Sequence, residues 1–116
     1  MPNYTECQIT TLSREMAKIH KKIFGKGPGA VNVALRPSLV IVKAEGVLTE
    51  LEKNLLETQN GNKTVAEIRA ILIEKFKPGI IKDISKALAV DFSDIMAELF
   101  VSSDELIVVL YFGSLD

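Results

Sequence analysis

The sequence predicts an α+β domain in the order α-ββ-ααα-ββ, a four-stranded, largely antiparallel sheet with helices packed on it. Three observations predict it. Apolar residues recur every three or four positions up to Phe24 and every second position from Val31, so a helix gives way to strands. Two Thr-x-x-Glu boxes, Thr49 with Glu52 and Thr64 with Glu67, then mark the starts of further helices. An apolar run, Leu106 to Phe112, that is β in composition follows later in the chain. At 116 residues, 47% hydrophobic and 25% charged, residues 1–116 read as one globular domain.

The first helix spans roughly Thr5 to Phe24, with Ile9, Leu12, Met16, Ile19 and Ile23 as a narrow stripe. Such a seam suits a partner helix as well as a sheet. Gly25 stands where a left-handed cap belongs, after Lys21 and Lys22 in the last turn. Val31, Val33 and Leu35 alternate with Asn32, Ala34 and Arg36 as a half-buried strand, and Pro37-Ser38 turns it into a second strand, Leu39 to Glu45.

Thr49 and Glu52 open a short helix carrying Leu51, Leu55 and Leu56, ending near Asn60-Gly61-Asn62. Thr64 and Glu67 open a longer one carrying Val65, Ile68, Ile71, Leu72 and Phe76. Lys77-Pro78-Gly79 is expected to interrupt it, because proline has no N–H for the helical ladder. Ile80, Ile81, Ile84 and Leu88 then make a third helical piece. Residues 91–101 fit both periods; the turn Ser102-Ser103-Asp104 before a certain strand makes Ile95 to Val101 the partner strand of a hairpin.

Composition limits the function. Fourteen Lys/Arg against fifteen Asp/Glu, a net charge of -1, predict no DNA or RNA partner. One Cys, Cys7, and one His, His20, exclude an internal disulfide, a CxxC pair and a Cys/His zinc cluster. Met1 to Glu6 lacks the basic and apolar regions of a signal peptide, and a run of seven apolar residues falls far short of the roughly 20 that cross a bilayer. The expectation is a cytoplasmic protein with no membrane-spanning segment.

No catalytic, cofactor or metal residues are assigned. Gly25-Lys26-Gly27-Pro28-Gly29 follows a helix and precedes a strand, the reverse of a phosphate-binding loop, so it reads as a cap and a turn. Arg14, Lys18, Lys21, Lys22 and Lys26 form a basic side of the first helix. Lys18, Lys22, Lys26 and Arg36 are the candidate contacts for an acidic partner or an anion. Asp91, Asp94, Glu98, Asp104 and Glu105 read as a solvated acidic edge, without the spacing of a calcium loop. His20 lies beside the apolar stripe with no second His, and Cys7 has no basic neighbour to activate it.

The segments Ser13 to His20 leading into Phe24-Gly25-Lys26-Gly27-Pro28, and then Glu45-Gly46-Val47-Leu48-Thr49-Glu50-Leu51-Glu52-Lys53-Asn54-Leu55, resemble the MpsC family of small bacterial proteins. The helix Val65 to Phe76 before Pro78 and the closing β pair match as well, so the likeness covers nearly the whole chain. The chain departs from the family in its Arg36-Pro37-Ser38 turn, usually charged and often acidic, and in its short last turn. The resemblance implies a component of a sodium-translocating system that generates membrane potential and is linked to inorganic-carbon uptake. It implies a non-enzymatic accessory or regulatory protein beside membrane transport subunits, with no catalytic residues to carry over. A small anion- or nucleotide-binding module using the basic helix and the glycine-rich loop is the alternative.

The run Leu106 to Phe112 does not alternate, nor does Leu39 to Val42, so both faces of the sheet are apolar there. Helices between Thr49 and Leu88 can cover one face. The other would expose either Ile107, Val109 and Tyr111 or Leu106, Val108 and Leu110. A two-fold homodimer through these strands or the first helix is therefore expected, unless that helix folds back over its own sheet.

Overall fold

A computed structural model describes residues 6–112. The order is α1 (Glu6–Phe24), β1 (Ala30–Leu35), β2 (Leu39–Glu45), α2 (Glu50–Leu56), α3 (Gly61–Leu88), β3 (Phe92–Phe100), a 3-10 turn (Val101–Ser103) and β4 (Glu105–Phe112). The strands form one antiparallel sheet in the order β1-β2-β4-β3. The expected α+β fold is present. Thr5, the expected first residue of the first helix, lies outside the described residues.

Strand periodicity sorts the side chains cleanly. Val40, Val42 and Ala44 of β2 and Leu106, Val108, Leu110 and Phe112 of β4 are buried on the inner face. Val31, Val33 and Leu35 of β1 pack at the margin of that core. Leu12 and Met16 of α1 and Ile80, Ile84 and Leu88 of α3 complete it from above. The first helix therefore does fold back over its own sheet. Of its stripe, Leu12 and Met16 are buried and Ile19 and Ile23 pack against the core, so these residues serve the chain's own fold.

β3 starts at Phe92, earlier than expected, and ends at Phe100, with Val101 in the 3-10 turn. A bulge between Phe92 and Asp94 puts both Phe92 and Ile95 into the core and resolves the double periodicity of this segment. Phe92 meets Phe112 edge-on at 5.8 Å.

Three helical expectations are corrected. α3 runs unbroken for 28 residues with Pro78 inside it. Val65 and Arg69 on one side and Ile80, Ile84 and Leu88 on the other are buried, so tertiary packing holds both halves in line. Pro78 itself is exposed, which leaves the carbonyl four residues back open to water. Thr64 and Glu67 do not cap. The helix begins at Gly61 after Asn60 in the left-handed region, and the Thr64 hydroxyl donates to Asn60 O at 3.2 Å, one turn inside. α2 ends at Leu56, short of the expected Asn60-Gly61-Asn62, because Asn60 and Gly61 start α3 instead; within α2, Leu51 is 69% exposed, while Glu52 is buried.

Gly25 caps α1 as expected, at φ +84, with its N–H donating to Lys21 O at 2.8 Å. A Cβ there would meet open space, so the conformation alone sets its cost. Gly25→Val is expected to lower stability by about 1–2 kcal/mol through left-handed strain. A parent-like urea midpoint would refute that.

Candidate functional site

The residues of both sequence motifs converge on one buried side chain, Arg69. Val65 places it one turn further along the inward side of α3, where an apolar residue would ordinarily stand. It is 2% exposed. Its Nε donates to Glu52 Oε2 at 2.6 Å and its Nη2 to Glu52 Oε1 at 2.8 Å, a bidentate pair. Nη2 also donates to Val47 O at 2.8 Å. The guanidinium lies 4.0 Å above the Phe24 ring.

Glu52 reaches this position because it is the third residue of α2. The Thr49 hydroxyl accepts from Glu52 N at 3.1 Å, and Glu52 Oε1 accepts from Thr49 N at 2.9 Å, the reciprocal box expected from the sequence. The same carboxylate thus caps its helix and neutralises Arg69. Burial alone would raise its pKa, but donors from Arg69 and Thr49 outweigh burial and hold it below the ordinary range.

His20 closes the other side. It follows Leu12 and Met16 at four-residue spacing on the inner face of α1. Its Nδ1 lies 2.6 Å from Lys26 O and its Nε2 2.9 Å from Arg69 Nη1. A carbonyl only accepts and a guanidinium only donates, so the ring is neutral, with its proton on Nδ1. Burial foremost, and the nearby Arg69 charge, depress its pKa against the opposing pull of Lys26 O.

That shift gives stability a pH dependence whose sign is fixed. Below about 6.5 the unfolded chain binds a proton that folded His20 resists, so folding weakens as pH falls through this range. Glu52, shifted down, loses its contribution only at lower pH. Between pH 7.5 and 5.5 the urea midpoint is expected to fall, and His20→Gln should flatten that slope. An unchanged slope in the variant would remove His20 as the cause.

The surrounding backbone is tied to the same point. Lys26 Nζ donates to Leu48 O at 3.0 Å. Asp104 Oδ1 accepts from Val47 N at 2.9 Å and Leu48 N at 2.8 Å, joining the β3–β4 turn to the loop that holds Arg69. Chemically the cluster is closed: His20, Glu52 and Arg69 have exposures of 5, 7 and 2%, so it clamps α1, α2 and α3 rather than meeting a substrate.

The four cations singled out in the sequence are not gathered by the fold. Lys18 pairs with Glu15 at 3.6 Å, and Lys22 lines a groove of about 190 Å³ between α1 and α3. Lys26 turns to Leu48, and Arg36 lies past the opposite end of β1, about 20 Å of strand away. The acidic segment is likewise distributed. Asp94 pairs with Lys77 at 2.9 Å, Glu105 with Lys43 at 2.9 Å, and Asp104 serves the backbone.

Exposed apolar residues stand on α2 and α3, where Leu51 and Ile71 are more than half exposed, and on the outer face of the sheet. The strand registers set out its side chains in rows. One row is wholly apolar: Ala34, Ile41, Val109 and Met96. Leu39 and Tyr111 flank it on one side, and Asn32, Lys43, Ile107 and Glu98 follow on the other. Met96 is 58% and Phe100 44% exposed, and a hollow of about 230 Å³ lies among Met96, Phe100, Ile107 and Val109. Of the two sets that the sequence left open, Ile107, Val109 and Tyr111 face outward, and no described element lies over them.

The roles of Arg69 and Asp104 escaped sequence reading. The signal for Arg69 was an arginine in the inward stripe of a helix, four residues after Val65; Asp104 read as a turn residue and as part of a solvated acidic edge. The sequence model of the family described as Na+-translocating membrane potential-generating system (MpsC) matches residues 6–114. The chain belongs to the MpsC family. No curated protein and no solved structure matches it. Within this MpsC member, the Phe24 to Pro28 and Glu45 to Leu55 segments that carried the resemblance are those that wrap Arg69. No helix among the described residues is long and apolar enough to cross a membrane.

Proposed function

We propose that the protein is a non-enzymatic, cytoplasmic accessory or regulatory component of a sodium-translocating system, and that it works by contact with other proteins. The family links the chain to a Na+-translocating, membrane potential-generating system. The apolar outer face of the sheet, over which no described element lies, is the observation that carries the contact reading, because exposed apolar patches mark interaction surfaces. His20, Glu52 and Arg69 are instead locked in a buried clamp, where they fix the helices that brace that sheet.

The family link, and not the sheet face, points to the membrane subunits of such a system, linked to inorganic-carbon uptake, as partners. Affinity capture from the native host, with detergent-solubilised membranes, tests this. Recovery of integral membrane transport subunits supports the reading. Repeated recovery of soluble proteins alone overturns it.

A further inference from the structure

We infer that the outer sheet face is covered by the same face of a second copy, packed sheet on sheet about a two-fold axis parallel to the strands. This rests on the reading of that face as a contact surface and names its occupant. The chain's own helices are already committed: α1 and α3 supply the inner core, and α2 packs on α3.

The area suffices. Four strands about 4.8 Å apart, each some 20–25 Å long, present about 400–475 Å² per copy. Two copies therefore bury about 800–950 Å² before the corrugation of side chains is counted, and that corrugation brings the total to the roughly 1,000 Å² a specific interface should clear.

The two central rows of side chains are self-complementary, while the row Ala30-Glu45-Glu105-Phe100 at the margin would set Glu45 of one copy over Glu105 of the other, where the sheets diverge. A two-fold axis along the strands lays each row on its own reversal. In the apolar row, Ala34-Ile41-Val109-Met96, the protruding Met96 of one copy falls over Ala34 of the other, and Ile41 over Val109. A large side chain thus meets a small one at each margin, with two β-branched residues in the middle. The next row, Asn32-Lys43-Ile107-Glu98, reverses so that Glu98 of one copy falls over Asn32 and beside Lys43 of the other. Glu98 is exposed and makes no ion pair among the described residues, whereas Lys43 sits between Glu45 and Glu105. Aligned sheets cross by about 30°, which keeps the central row in contact and lets the outer rows diverge.

Light scattering on the purified full chain tests the inference. The parent is expected near twice 12.7 kDa at high micromolar concentration. Met96→Glu and Val109→Glu should each halve that mass while leaving circular dichroism and urea unfolding of the monomer parent-like. Met96 is more than half exposed, so its variant remains informative if Val109→Glu folds poorly. Lys63→Glu, on the exposed side of α3, should leave the dimer intact. A parent of 12.7 kDa at that concentration, or a dimer that survives both substitutions, overturns the inference. The two readings fail separately. A monomer that still captures membrane subunits removes the dimer alone, and a dimer that captures only soluble proteins removes the accessory role alone.

Discussion

Arg69→Met is expected to lower stability by about 3–5 kcal/mol, the usual loss when one member of a buried ion pair is removed. Methionine fills a similar volume and suits a helix, so packing and propensity change little. What changes is the fate of the groups that Arg69 serves. Glu52, nearly buried, keeps its charge without a counter-ion, and Val47 O and His20 Nε2 each lose a donor. Against a typical total of about 5–15 kcal/mol, this is a large share of the fold's stability. Adding Glu52→Gln to the variant should recover part of the loss. It removes the stranded charge but keeps an oxygen to accept from Thr49 N, so the cap of α2 survives. Arg69→Lys should fail to rescue fully, since one ammonium cannot span Glu52, Val47 O and His20 together. Urea unfolding of the four proteins decides it. An Arg69→Met chain within about 1 kcal/mol of the parent would mean that the clamp is not the joint it looks to be.

How much of this was legible in the sequence depends on the range of the forces involved. Local signals read well. Gly25 at the end of a helix, Thr49 with Glu52 before one, and the alternation of Val31, Val33 and Leu35 each fix backbone geometry within a few residues, and each stands as expected. The errors lie where tertiary contacts outweigh local preference. Thr64 and Glu67 have the spacing of a cap, but the fold starts the helix four residues earlier, with Asn60 as cap and Gly61 first, where α3 turns against α2. Pro78 weakens a helix locally, yet buried residues on both sides keep it continuous. Glu52 turns inward because Arg69, seventeen positions along the chain, makes that place favourable for a carboxylate. His20, Glu52 and Arg69 come from three helices, so nothing in their local spacing announces that they meet.

Gly61 carries the second large effect, and its sign runs against helix propensity. Glycine to alanine inside a helix ordinarily stabilises by about 1 kcal/mol. Gly61 opens α3 without a positive φ, so its backbone would accept alanine. Its surroundings would not: an added Cβ falls on the carbonyl oxygen of Leu55 and close to Leu56 Cα. These are backbone atoms of the last turn of α2, which cannot rotate aside as a side chain does. The methyl group must therefore push α2 from α3, and the bidentate contact of Glu52 with Arg69 spans that same junction. Overpacking of this kind costs about 1–3 kcal/mol, and here the upper end or more is expected because the strained pair is buried. Gly79, in the same helix, is the control. It has no positive φ and a Cβ there meets no atom within 4 Å, so Gly79→Ala should stabilise by about 0.5–1 kcal/mol. Opposite shifts of the thermal midpoint for the two alanines are the expected result. If Gly61→Ala also rises, α2 and α3 are not in contact at Gly61, and the clamp around Arg69 must be held from the α1 side alone.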